Sequence, residues 1–234
     1  MFSFTSDYLN NYIAFKLGLD RTKFTNEELA LVEELDLDPA ADKEYFEIKE
    51  DFLFFFPGLK HLGLKNMYID KSFINKLKTI KNLESLSLIN SNIEDVTSLS
   101  ILNLKSLCLN NTYISNYEGL SSLKSLYILS LINMGDVDLI NLRGLVNLIS
   151  LSFNKTNILK AELFRNYPFL ESLDIDNTNI SNLIVIEDLK RLKKLNISYA
   201  TYLKNRMFIK RLLNNHTVIT VDGINDLSKG GKLG

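Results

Sequence analysis

Few side chains in this sequence could make or break bonds. Its 234 residues include one cysteine, Cys108, and two histidines, His61 and His216, which lie far apart along the chain. A thiol becomes nucleophilic when a base or a cation lowers its pKa, and the pattern predicts no such neighbour for Cys108. Metal ligation needs convergent His, Cys or carboxylate groups, which one cysteine and two distant histidines do not supply. Asp174 and Asp176 alternate on one stretch, with Asp36 and Asp38 far away. Together the first pair would form at most the edge of a divalent-cation site. No glycine-rich phosphate loop and no G-x-S-x-G elbow occurs. The expectation is a protein with no catalytic residues, no cofactor and no resident metal.

Charge is the next chemical resource. The net charge is −1, yet residues 1–58 carry 5 Lys and Arg against 13 Asp and Glu, while residues 59–234 carry 22 against 15. Lys190, Arg191, Lys193, Lys194, Lys204, Arg206, Lys210 and Arg211 fall in a stretch without acids. Such a cluster can bind an acidic protein or a phosphorylated ligand, or can simply be a solvated face. No aromatic stacking platform accompanies it, so nucleic acid is not an expected partner. Its sign opposes that of the N-terminal segment, which leaves room for weak head-to-tail association of an otherwise monomeric chain.

What would position any of these groups is a repeat. Blocks open at Leu83, Leu104, Leu126, Leu148, Leu170 and Leu192, at steps of 21, 22, 22, 22 and 22 residues. They begin LESLSLINSNI, LKSLCLNNTYI, LYILSLINMGD, LISLSFNKTNI, LESLDIDNTNI and LKKLNISYATY. A constant period of this length marks a stack of equivalent units. Within each block two leucines alternate with polar residues, which is strand spacing. A strand this short cannot bury its apolar side alone, but stacking at about 4.8 Å per strand joins the leucines into one column. Residues such as Val96, Leu99 and Leu102, spaced by three, suit short 3-10 or helical turns returning on the other side.

Asn66, Asn90, Asn111, Asn133 and Asn177 occupy the strand exit, with Lys155 and Tyr199 at the same position of their blocks. Turn chemistry explains such a column. The next position holds Ser91, Thr112, Thr156 and Thr178, whose hydroxyls can bond the turn. Met67, Met134 and Ala200 hold it elsewhere, and those turns need another partner.

The pattern resembles the leucine-rich repeat family, in its 22-residue bacterial, internalin-like subclass. That resemblance implies an α/β fold: a right-handed leucine-rich repeat solenoid with a curved parallel sheet on its concave face. It also implies a protein-binding scaffold whose partner the sequence leaves unnamed. The concave rows then contain Ser87, Ile89, Cys108, Asn110, Ile128, Ser130, Ile132, Ser152, Asn154, Asp174, Asp176 and Asn196. Most are small and polar. Ile89, Ile128 and Ile132 stand out as a candidate contact patch.

Residues 1–31 read as a helical cap: Phe4, Tyr8, Tyr12 and Phe15 are at helical spacing, Gly18 suits a C-cap, and T-N-E-E from Thr25 is a capping box. The solenoid spans 32–225, with an irregular insert at 38–58 and a C-terminal cap of helix and strand. Residues 226–234 read as a flexible tail. Phe52, Phe54, Phe55 and Phe56 cannot all face one side of a helix: packing on the cap is the expectation, and one phenylalanine left on the surface as a candidate contact is the alternative. No apolar run is long enough to span a membrane, and the N-terminus lacks the features of a secretory signal. A single cysteine suits a reducing compartment. These features suggest a cytoplasmic protein, and the Lys, Asn and Ile bias suggests an AT-rich bacterium, though the same bias would suit some protists or large viruses. The competing role is an effector exported by a specialised route to act on a host protein.

Overall fold

The computed structural model describes residues 3, 4, 6–38, 50–222, 225 and 226. Most of the insert at 38–58 and most of the tail at 226–234 lie outside the described residues. Strands succeed one another as β1 (Glu34–Leu37), β2 (His61–Lys65), β3 (Tyr68–Ile69), β4 (Ser85–Ile89), β5 (Asn92–Asp95), β6 (Ser106–Cys108), β7 (Tyr113–Asn116), β8 (Ile128–Ser130), β9 (Gly135–Asp138), β10 (Ser150–Ser152), β11 (Thr156–Leu159), β12 (Ser172–Asp174), β13 (Lys194–Ile197), β14 (Val218–Val221) and β15 (Asn225–Asp226).

The main sheet has ten strands in the order β1-β2-β4-β6-β8-β10-β12-β13-β14-β15. All of its pairings are parallel except the last, between β14 and β15. Register follows the repeat: Leu62, Leu86, Leu107, Leu129, Leu151, Leu173, Leu195 and Ile219 pair in succession. All eight are buried and form part of one continuous core. Stacking leaves each leucine covered above and below, at about 1.5–3 kcal/mol per side chain removed from water.

The Asn column has a backbone cause. Asn66, Asn90, Asn111, Asn133 and Asn177 all take φ between 52° and 56°, and Lys155 takes 58°. Asn enters this left-handed region more readily than other side chains. Beside it, the Thr112 hydroxyl donates to the Leu88 carbonyl and Thr156 to Leu131, both at 2.6 Å. The methionine turns find their partner one repeat on: Met67 N donates to Ser91 Oγ at 3.3 Å and Met134 N to Thr156 Oγ1 at 3.1 Å. At Ala200 the hydroxyl has moved by one residue, and Thr201 donates to the Ile180 carbonyl at 2.9 Å.

A second layer follows the turn. β3, β5 and β7 form one small parallel sheet, and β9 and β11 form another. The return then runs through 3-10 turns such as Val96–Ile101, Glu118–Ser122 and Leu139–Leu142. Glycine lets successive turns approach closely: a Cβ on Gly119 would lie 2.1 Å from Thr97 Cα.

The N-terminal cap is built from α1 (Asp7–Leu17), started by Ser6 and ended by Gly18 at φ 66°, and the short α2 (Asn26–Leu29). Both halves of the Thr25–Glu28 capping box form. Phe4 meets the rings of Phe52 and Phe56 at 5.4 and 6.0 Å, sealing the end of the leucine column. Phe52 and Phe56 are buried, whereas two phenylalanines, Phe54 and Phe55, are exposed, at 58% and 38%. At the other end the cap consists of Tyr199–Lys204 and Arg206–Asn214, both helical, followed by β14.

Candidate binding face

Strand alternation turns three rows of side chains outward. The first row pairs Glu34, His61, Ser85, Ser106, Ile128, Ser150, Ser172, Lys194 and Val218 in register. The middle row pairs Asp36, Gly63, Ser87, Cys108, Ser130, Ser152, Asp174, Asn196 and Thr220. Ser87, Cys108, Ser130, Ser152, Asp174 and Asn196 are half-buried, and so are Ile89 at the end of β4 and Asn110, Ile132 and Asn154 just beyond the ends of their strands. Ile128 is the exposed member, at 48%.

Much of this surface is fixed by bonds between strands. Asn110 Oδ1 accepts from Ser130 Oγ at 2.8 Å and from Ile132 N at 3.0 Å. Farther along, Ser152 Oγ donates to Asp174 Oδ2 at 3.2 Å, and Asn196 Nδ2 donates to Asp174 Oδ1 at 2.9 Å. Thr220 Oγ1 then donates to Asn196 Oδ1 at 2.8 Å. These bonds fix two groups of polar side chains, one at β6 and β8 and the other across β10, β12, β13 and β14.

The isoleucines are less clustered than their positions in sequence imply. Ile132 is separated from Ile128 by Ser130 on its own strand run, and Asn110 stands on the strand between Ile89 and Ile132. Asp176 requires a correction. It does not belong to the open face, because only 4% of it is exposed. Its Oδ2 accepts from Asn154 Nδ2 at 3.3 Å and Asn177 Nδ2 at 2.9 Å, while Oδ1 has no hydrogen-bond partner. Burial, then the charges of Asp174 and Asp222, push its pKa up against the Asn177 N–H. Among the described residues no group of three or more His, Cys, Asp or Glu is placed to hold a metal ion.

The basic stretch also differs in space from its appearance in sequence. Lys193 Nζ sits 2.7 Å from Glu171 of the preceding repeat, and Lys190 Nζ lies 3.9 Å from Asp188. Arg191 stacks on Phe169 at 4.8 Å, Arg211 on Phe208 at 4.7 Å and Arg206 on Tyr202 at 5.9 Å. Lys194 stands on the sheet face, Lys204 ends the first helix of the C-terminal cap, and Lys210 lies on the second. The stretch contains no acids, but the fold brings acids to it from outside.

Sequence reasoning missed one feature beside the face. The residues just before the strands form a backbone column in which Glu33, Lys60, Glu84, Lys105, Tyr127, Ile149 and Glu171 each accept an N–H from the next member, ending at Lys193. Charges alternate along it, and Glu33–Lys60 and Glu84–Lys105 pair at 2.6 Å. Tyr127 and Ile149 interrupt the alternation. With Asn147, Phe169, Glu171 and Arg191 they line a hollow of about 240 Å³. The signal was present as E-K-E-K-Y-I-E-K read at the repeat period.

The sequence matches no protein-family model and no curated protein. The structure is similar to that of internalin C2 from Listeria monocytogenes, at 20% identity and a TM-score of 0.60, covering 83% of this chain and 94% of that one. It is also similar to InlP of the same bacterium, at 14% identity and a TM-score of 0.56, covering 93% of this chain and 69% of that one. At such identities the likeness is one of fold. The chain has the right-handed leucine-rich repeat solenoid fold of the internalin-like kind, its parallel sheet forming the concave face.

Proposed function

We propose that this chain is a non-catalytic scaffold that binds a partner protein through its concave face. The observation that carries the reading is the face itself. Small side chains on adjacent strands are held in one arrangement by cross-strand hydrogen bonds, and one exposed isoleucine, Ile128, stands among them. A pre-ordered surface loses little conformational entropy when a partner docks. Small residues admit a partner helix or strand close to the sheet, and Ile128 offers it an apolar anchor. The proposal includes a monomer in a reducing, cytoplasmic setting, since one half-buried cysteine can form no internal disulfide.

Affinity capture from the native lysate tests it, with the Ile128→Asp, Ile132→Asp double variant as control. The expected outcome is a protein retained by the parent chain and lost by the double variant, with the same circular-dichroism spectrum and melting temperature. Equal capture by both folded proteins would remove the isoleucines from the contact.

A further inference from the structure

The flanking strands do not form a continuous ladder. β3, β5 and β7 pair with one another and β9 pairs with β11, but β7 and β9 do not pair. The cause is a single residue. The buried Val137 and Ile158 lie in register across β9 and β11, 21 residues apart, although their repeats open 22 residues apart. The turn before β9 is therefore one residue longer, and Gly135, at φ 73°, takes up the excess. A side chain other than glycine seldom adopts that backbone.

The break leaves a cleft of about 430 Å³ on the flank, away from the concave face. Tyr113, Tyr117, Met134 and Asp136 line it, and the Asn111 and Asn133 amides bond each other at its wall at 2.6 Å. Tyr113 is 70% exposed, so its ring is open to a ligand. Asp136 is exposed and accepts from Asn157 Nδ2 at 2.7 Å. Among the described residues lining the cleft it is the one that carries a charge. Its carboxylate is near enough to Tyr117 to push that phenol's pKa up, after the larger effect of burial.

We propose that this cleft binds an organic cation, a protonated amine or guanidinium on an alkyl stem. Two tyrosine faces attract such a cation through their ring quadrupoles, a thioether packs against its stem, and one carboxylate supplies the opposite charge. An anion would be repelled by Asp136, and a neutral group would gain nothing from its charge. The cation can belong to a partner's arginine or lysine side chain or to a free small amine. Both present the same chemistry.

The full-length chain is titrated with three probes, following the tyrosine ring resonances by NMR. They are the peptide Ac-Gly-Ala-Arg-Ala-Gly-NH2, its citrulline counterpart, and free agmatine. Saturable shifts with the arginine peptide, at least tenfold weaker with the citrulline peptide and weakened by salt, support the site. Comparable affinity for agmatine assigns the recognition to the cation alone, and a clear preference for the peptide assigns it to a protein side chain. Asp136→Asn, which keeps an acceptor for Asn157, should lower the affinity at least tenfold, and Tyr113→Ala severalfold. Equal response to arginine and citrulline peptides, no saturable response to any probe, or an unaltered affinity in Asp136→Asn overturns the proposal. Because no residue of the two outward rows lines the cleft, Ile128→Ala should bind the arginine peptide normally.

Discussion

Asp176 shows what one buried carboxylate does to a repeat. Its raised pKa means that the folded chain holds a proton at pH values where the unfolded chain has released it. Stability from this group is therefore greatest at low pH and declines as pH rises from the unfolded value, about 3.9, through the raised folded value. Asp176→Asn removes the charge and can keep an acceptor toward Asn154 and Asn177. We expect it to be more stable than the parent above that window by about 1 kcal/mol, with a flatter stability–pH curve in urea titrations. A variant less stable than the parent at neutral pH would mean that the carboxylate contributes favourably. Tyr167 poses a related case: its ring packs beside Phe164 at 6.4 Å, yet its buried hydroxyl has no partner. Neither burial was legible in the sequence. Position 176 alternates just as 154 does, and only the closing of Asn154, Asn177 and Asp174 over it decides that it is covered.

The turns and strands were legible in unequal measure. The Asn column predicted a special backbone, and a left-handed residue stands at that position in repeat after repeat. Lys155 is its exception, holding φ 58° with a side chain poorly suited to it. Lys155→Asn should therefore raise stability by about 0.5–1 kcal/mol, read from the midpoint of chemical denaturation, whereas Asn90→Ala should lower it by a similar amount. The second layer of strands was not foreseen. Segments such as β3 and β9 are two and four residues long, too short for alternation to register as a period. The alternating column of Glu33, Lys60, Glu84 and Lys105 escaped for another reason: its members are 21 to 27 residues apart, and each ion pair crosses from one repeat to the next. Exposed pairs of this kind contribute little individually. Their regularity matters because it isolates Tyr127 and Ile149 as the place where the column changes character.

At the scale of the whole chain, the leucine spacing foretold the architecture because a single column serves every repeat. A defect in the middle should accordingly be felt throughout. Leu129→Ala, deep in β8, is expected to cost about 2–5 kcal/mol and to lower the melting temperature in calorimetry. A change below 1 kcal/mol would show that the spine closes readily over a void. The caps were legible as composition, less so as contacts. At the first strand, the Tyr12 hydroxyl accepts from Asp36 N at 2.9 Å, and Lys16 pairs with Glu34 at 3.2 Å. At the last, β15 runs antiparallel to β14. Among the described residues, each margin of the sheet is thus partly shielded by the polypeptide's own neighbouring segments, which disfavours edge-to-edge addition of a second copy.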